Sequence, residues 1–145
     1  MTATNNELKT ILGNTVTMYF RLQIYHWNVN GPLFLNLHNM FQDMYEEILP
    51  SIDEIAEAIK INGEQAPFSI NEIISNVTVQ PEVEIPKTSV DMLSNLSQGF
   101  DELIESLKKG IEVAENEKVC DVEDLLRSRM SAIKKHNWFI KSHLG

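Results

Sequence analysis

Four side chains able to bind a hard or borderline metal fall between positions 26 and 57: His26, His38, Asp53 and Glu57. Two imidazoles with two carboxylates suit iron better than zinc or calcium. Singly, each has an ordinary reading. A lone histidine on an apolar helix is usually a hydrogen-bonded core residue, and an Asp and Glu four apart usually face solvent. The joint pattern points to metal, so the question is whether the four can meet. At about 100° per residue, His38, Gln42, Glu46, Asp53 and Glu57 share one sector of a helix. His38 and Asp53 are nonetheless roughly 22 Å apart along that helix, at about 1.5 Å per residue. One chain cannot bring both to the same ion. Two copies of the helix packed antiparallel across a dyad can, with Glu46 and Glu47 near the axis and two identical sites resulting. His26 precedes a turn and can swing toward His38 of its own chain. The expected site is therefore His26 and His38 from one subunit with Asp53 and Glu57 from another. It would hold Fe²⁺ with positions left open for an oxidant. Trp27 would wall the site or quench a stray radical, and Gln42 would lie beside the ligands.

Four long helical patterns must position these residues. The first runs roughly from Asn6 to Asn28, with Leu8, Leu12, Tyr19, Leu22 and His26 in 4-3 spacing. Its second half is apolar over more than one face, which predicts packing on another subunit as well as on its own bundle. Asn30-Gly31-Pro32 breaks the pattern. A second helix spans about Leu35 to Ile61, with a bend expected near Leu49 because Pro50 lies inside it. Gly63 is its expected left-handed cap. Residues 64–88 read as irregular except for a short helix opened by Ser69 with Glu72 at the capping-box position. The third long helix covers roughly Ser89 to Asn116. The fourth covers about Asp121 to Leu144, with Leu125, Leu126, Met130, Ile133 and Phe139 expected inward. Short links 1–2 and 3–4 and a long 2–3 crossover give an all-α, ferritin-like four-helix bundle with an extra short helix in the crossover. An ordinary di-iron centre inside one bundle needs Glu-x-x-His motifs, and the chain has none.

Composition narrows the function classes. The 145 residues, 43% hydrophobic, suffice for one domain with a core. No apolar run reaches the length of a membrane span, and the opening residues read as neither basic nor apolar enough for a secretory signal. Cys120 is the only cysteine, which excludes an internal disulfide and fits a reducing cytoplasm. Formal charge is −9, with 21 acids against 12 bases, which repels phosphate backbones and favours cations. Lys134, Lys135 and Lys141 form the only modest basic cluster, read as a solvated helix face.

At Tyr25-His26-Trp27-Asn28-Val29-Asn30-Gly31, Phe34, Leu37-His38-Asn39-Met40 and Asp53-Glu54-Ile55-Ala56-Glu57 the chain resembles the Dps family (DNA protection during starvation, or mini-ferritins). The end, from His136 to Leu144, is also similar to the family's last helix. The resemblance implies a hollow dodecamer built from two-fold dimers. It implies oxidation of Fe²⁺, preferentially by hydrogen peroxide rather than dioxygen, and storage of ferric mineral inside. The family's ligands map onto His26, His38, Asp53 and Glu57, and its three-fold iron pores onto Asp121 and Asp124. Those two acids have a plainer reading as N-terminal helix charges that favour the macrodipole. The chain departs from the family pattern at Gln42, where an Asp is common, and at Ala58, where an Arg is usual; the basic terminal extension of DNA-binding members is missing. The leading expectation is a cytoplasmic ferroxidase and iron store. The alternatives are a DNA-condensing shell, against which charge argues, and a structural assembly whose metal centre has degraded at Gln42 and Ala58.

Overall fold

Apolar side chains recurring every three or four residues, punctuated by Gly31, Pro32 and the proline-bearing stretch 67–86, resolve into five helices. These are α1 (Thr2–Asn28), α2 (Phe34–Ile61), α3 (Ile70–Ile74), α4 (Ser89–Glu117) and α5 (Cys120–Leu144). The structure is a computed structural model and describes residues 2–145. Among the described residues there is no strand, and no helix is long and apolar enough to cross a membrane. Helix α1 packs on α2 and α4, and α4 on α5, with α3 lying across α1. The shared core includes Leu8, Ile11, Leu22, Phe41, Ile48, Phe100, Leu107 and Leu126.

α1 begins earlier than its apolar spacing predicts, and the cause is tertiary. The Thr4 amide and hydroxyl both donate to Glu117 Oε1, at 2.7 and 2.6 Å, and the Asn62 side-chain amide donates to Asn5 Oδ1 at 3.0 Å. Buried Thr4 and Asn5, with half-buried polar partners on α4 and at the end of α2, thus hold a turn that hydrophobic periodicity does not mark. The α1–α2 turn is tight, with Gly31 at φ +100° and the Phe34 amide donating to the Gly31 carbonyl at 3.0 Å. α2 runs through Pro50 as one helix, with the Ser51 hydroxyl donating to the Ile48 carbonyl at 2.6 Å. Gly63 takes the expected positive φ, +91°.

The crossover is held by side chains of α1. Asn14, fully buried, accepts at Oδ1 from the amides of Thr78 (2.8 Å) and Val79 (3.1 Å) and donates from Nδ2 to Thr78 Oγ1 (2.9 Å). Arg21 donates from Nη2 to the Gln80 carbonyl at 2.7 Å and pairs with Glu82 at 3.3 Å. α3 starts as its sequence predicts: Ser69 Oγ accepts from the Glu72 amide at 3.1 Å. The Glu72 carboxylate reaches one residue further back than a standard capping box, to the Phe68 amide.

One expectation for α5 fails. Phe139 is 41% exposed, and the buried positions are Val122, Leu126, Arg129, Ile133, Asn137 and Ile140. That 4-3-4-4-3 series is the true inward stripe, and Phe139 lies about 100° off it. Leu125 and Met130 are only partly covered.

Candidate metal centre

His26 closes α1 and His38 sits in the first turns of α2, so the tight turn between them sets the two rings side by side. The imidazoles stack with centroids 3.7 Å apart and planes 14° from parallel. Each is held by the other's backbone: His26 Nδ1 lies 2.7 Å from the His38 carbonyl, and His38 Nδ1 lies 2.7 Å from the His26 carbonyl. A carbonyl can only accept, so each Nδ1 carries the hydrogen. In the neutral ring the lone pair then sits on Nε2, the state in which imidazole binds metal, with its second nitrogen anchored as metal-binding histidines commonly are. Phe34 stacks on the outer side of His38 at 5.1 Å. The expected swing of His26 toward His38 is what the structure has.

Asp53 and Glu57 are exposed on the same helix as His38. α2 is unbroken between them, so the axial separation stays at roughly 22 Å. Among the described residues no three His, Cys, Asp or Glu side chains of one chain converge on a common point. His26 and His38 are brought together; the carboxylates are not brought to them within the subunit. Gln42, one turn beyond His38, donates from Nε2 to Glu46 Oε1 at 2.8 Å. Trp27 points outward, 62% exposed. It belongs to an apolar stripe on α1 with Phe20 and Ile24, continued at the start of α2 by Leu33, Phe34 and Leu35, all exposed. Exposed apolar side chains repeated along one helix face in this way mark a candidate contact surface. Asp121 and Asp124 are exposed in the first turns of α5, the helix end that favours negative charge.

Two further features carry no clear mark in the sequence, one beside the histidine pair and one on another face of α2. Tyr45 stands edge-on to His26, and Tyr19 edge-on to Tyr45. Burial, with the Glu46 carboxylate and Tyr19 nearby, pushes the Tyr45 phenol up, so it keeps its proton. Seven-residue spacing was the available signal, since Tyr45 follows His38 by seven and Tyr19 precedes His26 by seven. The second feature is Glu47, which accepts a two-point pair from Arg129 (2.6 and 3.1 Å) and a bond from His136 Nε2 (2.7 Å). Burial would raise the Glu47 carboxyl, but the Arg129 and His136 bonds together hold it below its ordinary value. Burial pushes His136 down, and the Glu47 charge only partly opposes it. Nothing in the local sequence links position 47 to 129 and 136, because the pair is made between helices distant in the chain.

Bundle, crossover helix and paired histidines together define a ferritin-like protein, and residues 5–145 match the ferritin-like domain family. DNA protection during starvation protein 2 of Bacillus anthracis is 31% identical, the match covering 97% of this chain and 99% of that one. The crystal structure of Dps from Staphylococcus aureus superposes with a TM-score of 0.94 at 30% identity, over 100% of this chain and 97% of that one. Dps from Thermosynechococcus elongatus superposes equally well, with a TM-score of 0.94 at 27% identity, over 99% and 90%. The chain belongs to the Dps family, whose general roles are iron storage and DNA protection.

Proposed function

We propose that the protein is a ferroxidase and iron store of the cytoplasm. The observation that carries this reading is the reciprocal lock of His26 and His38, which leaves two Nε2 lone pairs side by side at the edge of an exposed apolar face. A second copy of the chain, seated on that face in antiparallel register, would bring Asp53 and Glu57 to the pair. Fe²⁺ is the substrate. The histidines bind it as neutral donors, and the two carboxylates favour the more highly charged Fe³⁺ product over Fe²⁺ by simple Coulomb attraction. Hydrogen peroxide, or more slowly dioxygen, takes the electrons. The ferric product passes to the interior of a closed shell, in this reading a dodecamer of two-fold dimers. Asp121 and Asp124, grouped around three-fold axes, would draw Fe²⁺ inward.

The donor set supports iron over calcium, which wants six or more oxygens, and leaves positions open for an oxidant, unlike a closed structural zinc site. The test is the Asp53→Ala, Glu57→Ala double variant. Rapid iron oxidation should disappear while particle size in solution stays that of the native protein. Undiminished oxidation would refute the ligand assignment.

A further inference from the structure

The iron site proposed above leaves an aligned pair of tyrosines without a task. Seven residues are nearly two helical turns, so Tyr19 and Tyr45 recur on the same faces of α1 and α2 as the two histidines. Because α1 and α2 turn back on each other, the tyrosines meet one level below the imidazoles. The Tyr45 ring lies 5.4 Å from that of His26 at 79°, and the Tyr19 ring lies 5.7 Å from that of Tyr45 at 83°. Both are contact distances for edge-to-face pairs. His38, His26, Tyr45 and Tyr19 thus form an unbroken row of rings.

Electron counting gives the row a use. Hydrogen peroxide takes two electrons, and one Fe²⁺ gives one. The residue one turn past His38 is Gln42, a neutral amide whose nitrogen is already engaged by Glu46, so it adds no charge to hold a second cation. A single Fe²⁺ reducing peroxide would release hydroxyl radical unless another donor stood in contact.

Resting on the ferroxidase reading, we propose that Tyr45 supplies the second electron when peroxide is reduced by a single Fe²⁺, with Tyr19 sharing the resulting radical. In this step Fe²⁺ and the phenol each lose one electron and the O–O bond breaks. Both oxygens leave as water, taking the phenol proton and one proton from solvent; Fe³⁺ and a neutral tyrosyl radical remain. The next Fe²⁺ reduces the radical, which regains its proton from solvent. The cycle consumes two Fe²⁺ per peroxide, one after the other. Two other oxidisable rings flank His26 in the chain: Trp27 faces outward, and Tyr25 turns into the core with its hydroxyl accepting from Asn95.

The test uses the assembled full-length protein, loaded without oxygen at one Fe²⁺ per proposed site, mixed with one equivalent of peroxide and freeze-quenched for electron paramagnetic resonance. A tyrosyl signal is expected. Tyr45→Phe, which keeps the ring and its packing, should lose that signal and yield spin-trapped hydroxyl radical, with iron still oxidised. Tyr19→Phe should retain a tyrosyl signal. Rapid oxidation without a tyrosyl signal in the native protein would overturn the role of Tyr45 and leave the iron site standing. So would an unchanged signal in Tyr45→Phe, or one abolished only by Trp27→Phe. Failure of the native protein to oxidise Fe²⁺ at all would overturn both.

Discussion

At the scale of single residues, the chemistry depends on hydrogen atoms being in the right place. His26 and His38 each spend Nδ1 on the other's main chain, so removing either ring frees one carbonyl but leaves the remaining imidazole bonded to a main-chain oxygen that substitution does not touch. His26→Ala should therefore weaken iron binding by about the loss of one ligand, because His38 keeps its bond to the main chain at position 26 and loses only the stacked ring. Titration calorimetry with Fe²⁺ under anaerobic conditions measures it. Glu47 is the other residue whose surroundings make a clear statement. Its carboxyl is depressed in the folded chain, so the unfolded state binds the proton more readily. The stability Glu47 contributes is complete above the ordinary carboxylate range and is lost as pH falls through the lower folded value. His136, also depressed, acts with the same sign from its ordinary value near 6.5 downward. Denaturant midpoints should decline from about pH 6.5 into the acid range, and Glu47→Gln should flatten the part below about pH 4.5. The carboxylate is 39% exposed, so Glu47→Gln should cost only ~1–2 kcal/mol at neutral pH.

At the scale of helices, the sequence was legible wherever apolar periodicity decided the outcome. α2, α4 and α5 begin and end within a residue or so of their predicted limits, and Ser69 opens α3 as its side chain demands. It was opaque where distant polar groups decided. Thr4 and Asn5 extend α1 through Glu117 and Asn62, and Arg21, an odd residue in an apolar stretch, turns out to hold the crossover at Gln80 and Glu82. Of the candidate site, the juxtaposition of His26 and His38 could be read from the turn between them. The tyrosine row has a visible seven-residue spacing but no local sign that the two rings meet, and the Glu47–Arg129–His136 group leaves no local trace. The crossover's dependence on α1 is measurable. Asn14→Ala would strip two backbone amides and a hydroxyl of their partner, costing ~2–3 kcal/mol in denaturant unfolding. Gly13→Ala should also destabilise, because a Cβ there would sit 2.5 Å from the Ile73 carbonyl oxygen, which is main chain and cannot rotate aside.

At the scale of the whole molecule, the exposed apolar stripe of Phe20, Ile24 and Trp27 with Leu33 and Phe34 is the surface that matters most. Ile24→Asp should lower the assembled fraction in sedimentation velocity and reduce iron oxidation in the same proportion, since both are proposed to need the two-fold contact. Particles of native size with native activity would show that the stripe is not that contact. The names of the relatives raise DNA protection, and charge gives an expectation for direct contact: at −9 per chain, the assembly should leave duplex DNA unshifted in a low-salt gel.

The distance along α2 between the imidazoles and the acids has a consequence for safety in the cell. Were half of each centre borrowed from a neighbour, as proposed, a newly made or diluted chain would be inert toward iron and peroxide. Oxidation would begin only as shells close, so the law of mass action itself would keep rust and radicals from forming before there is a vessel to hold them.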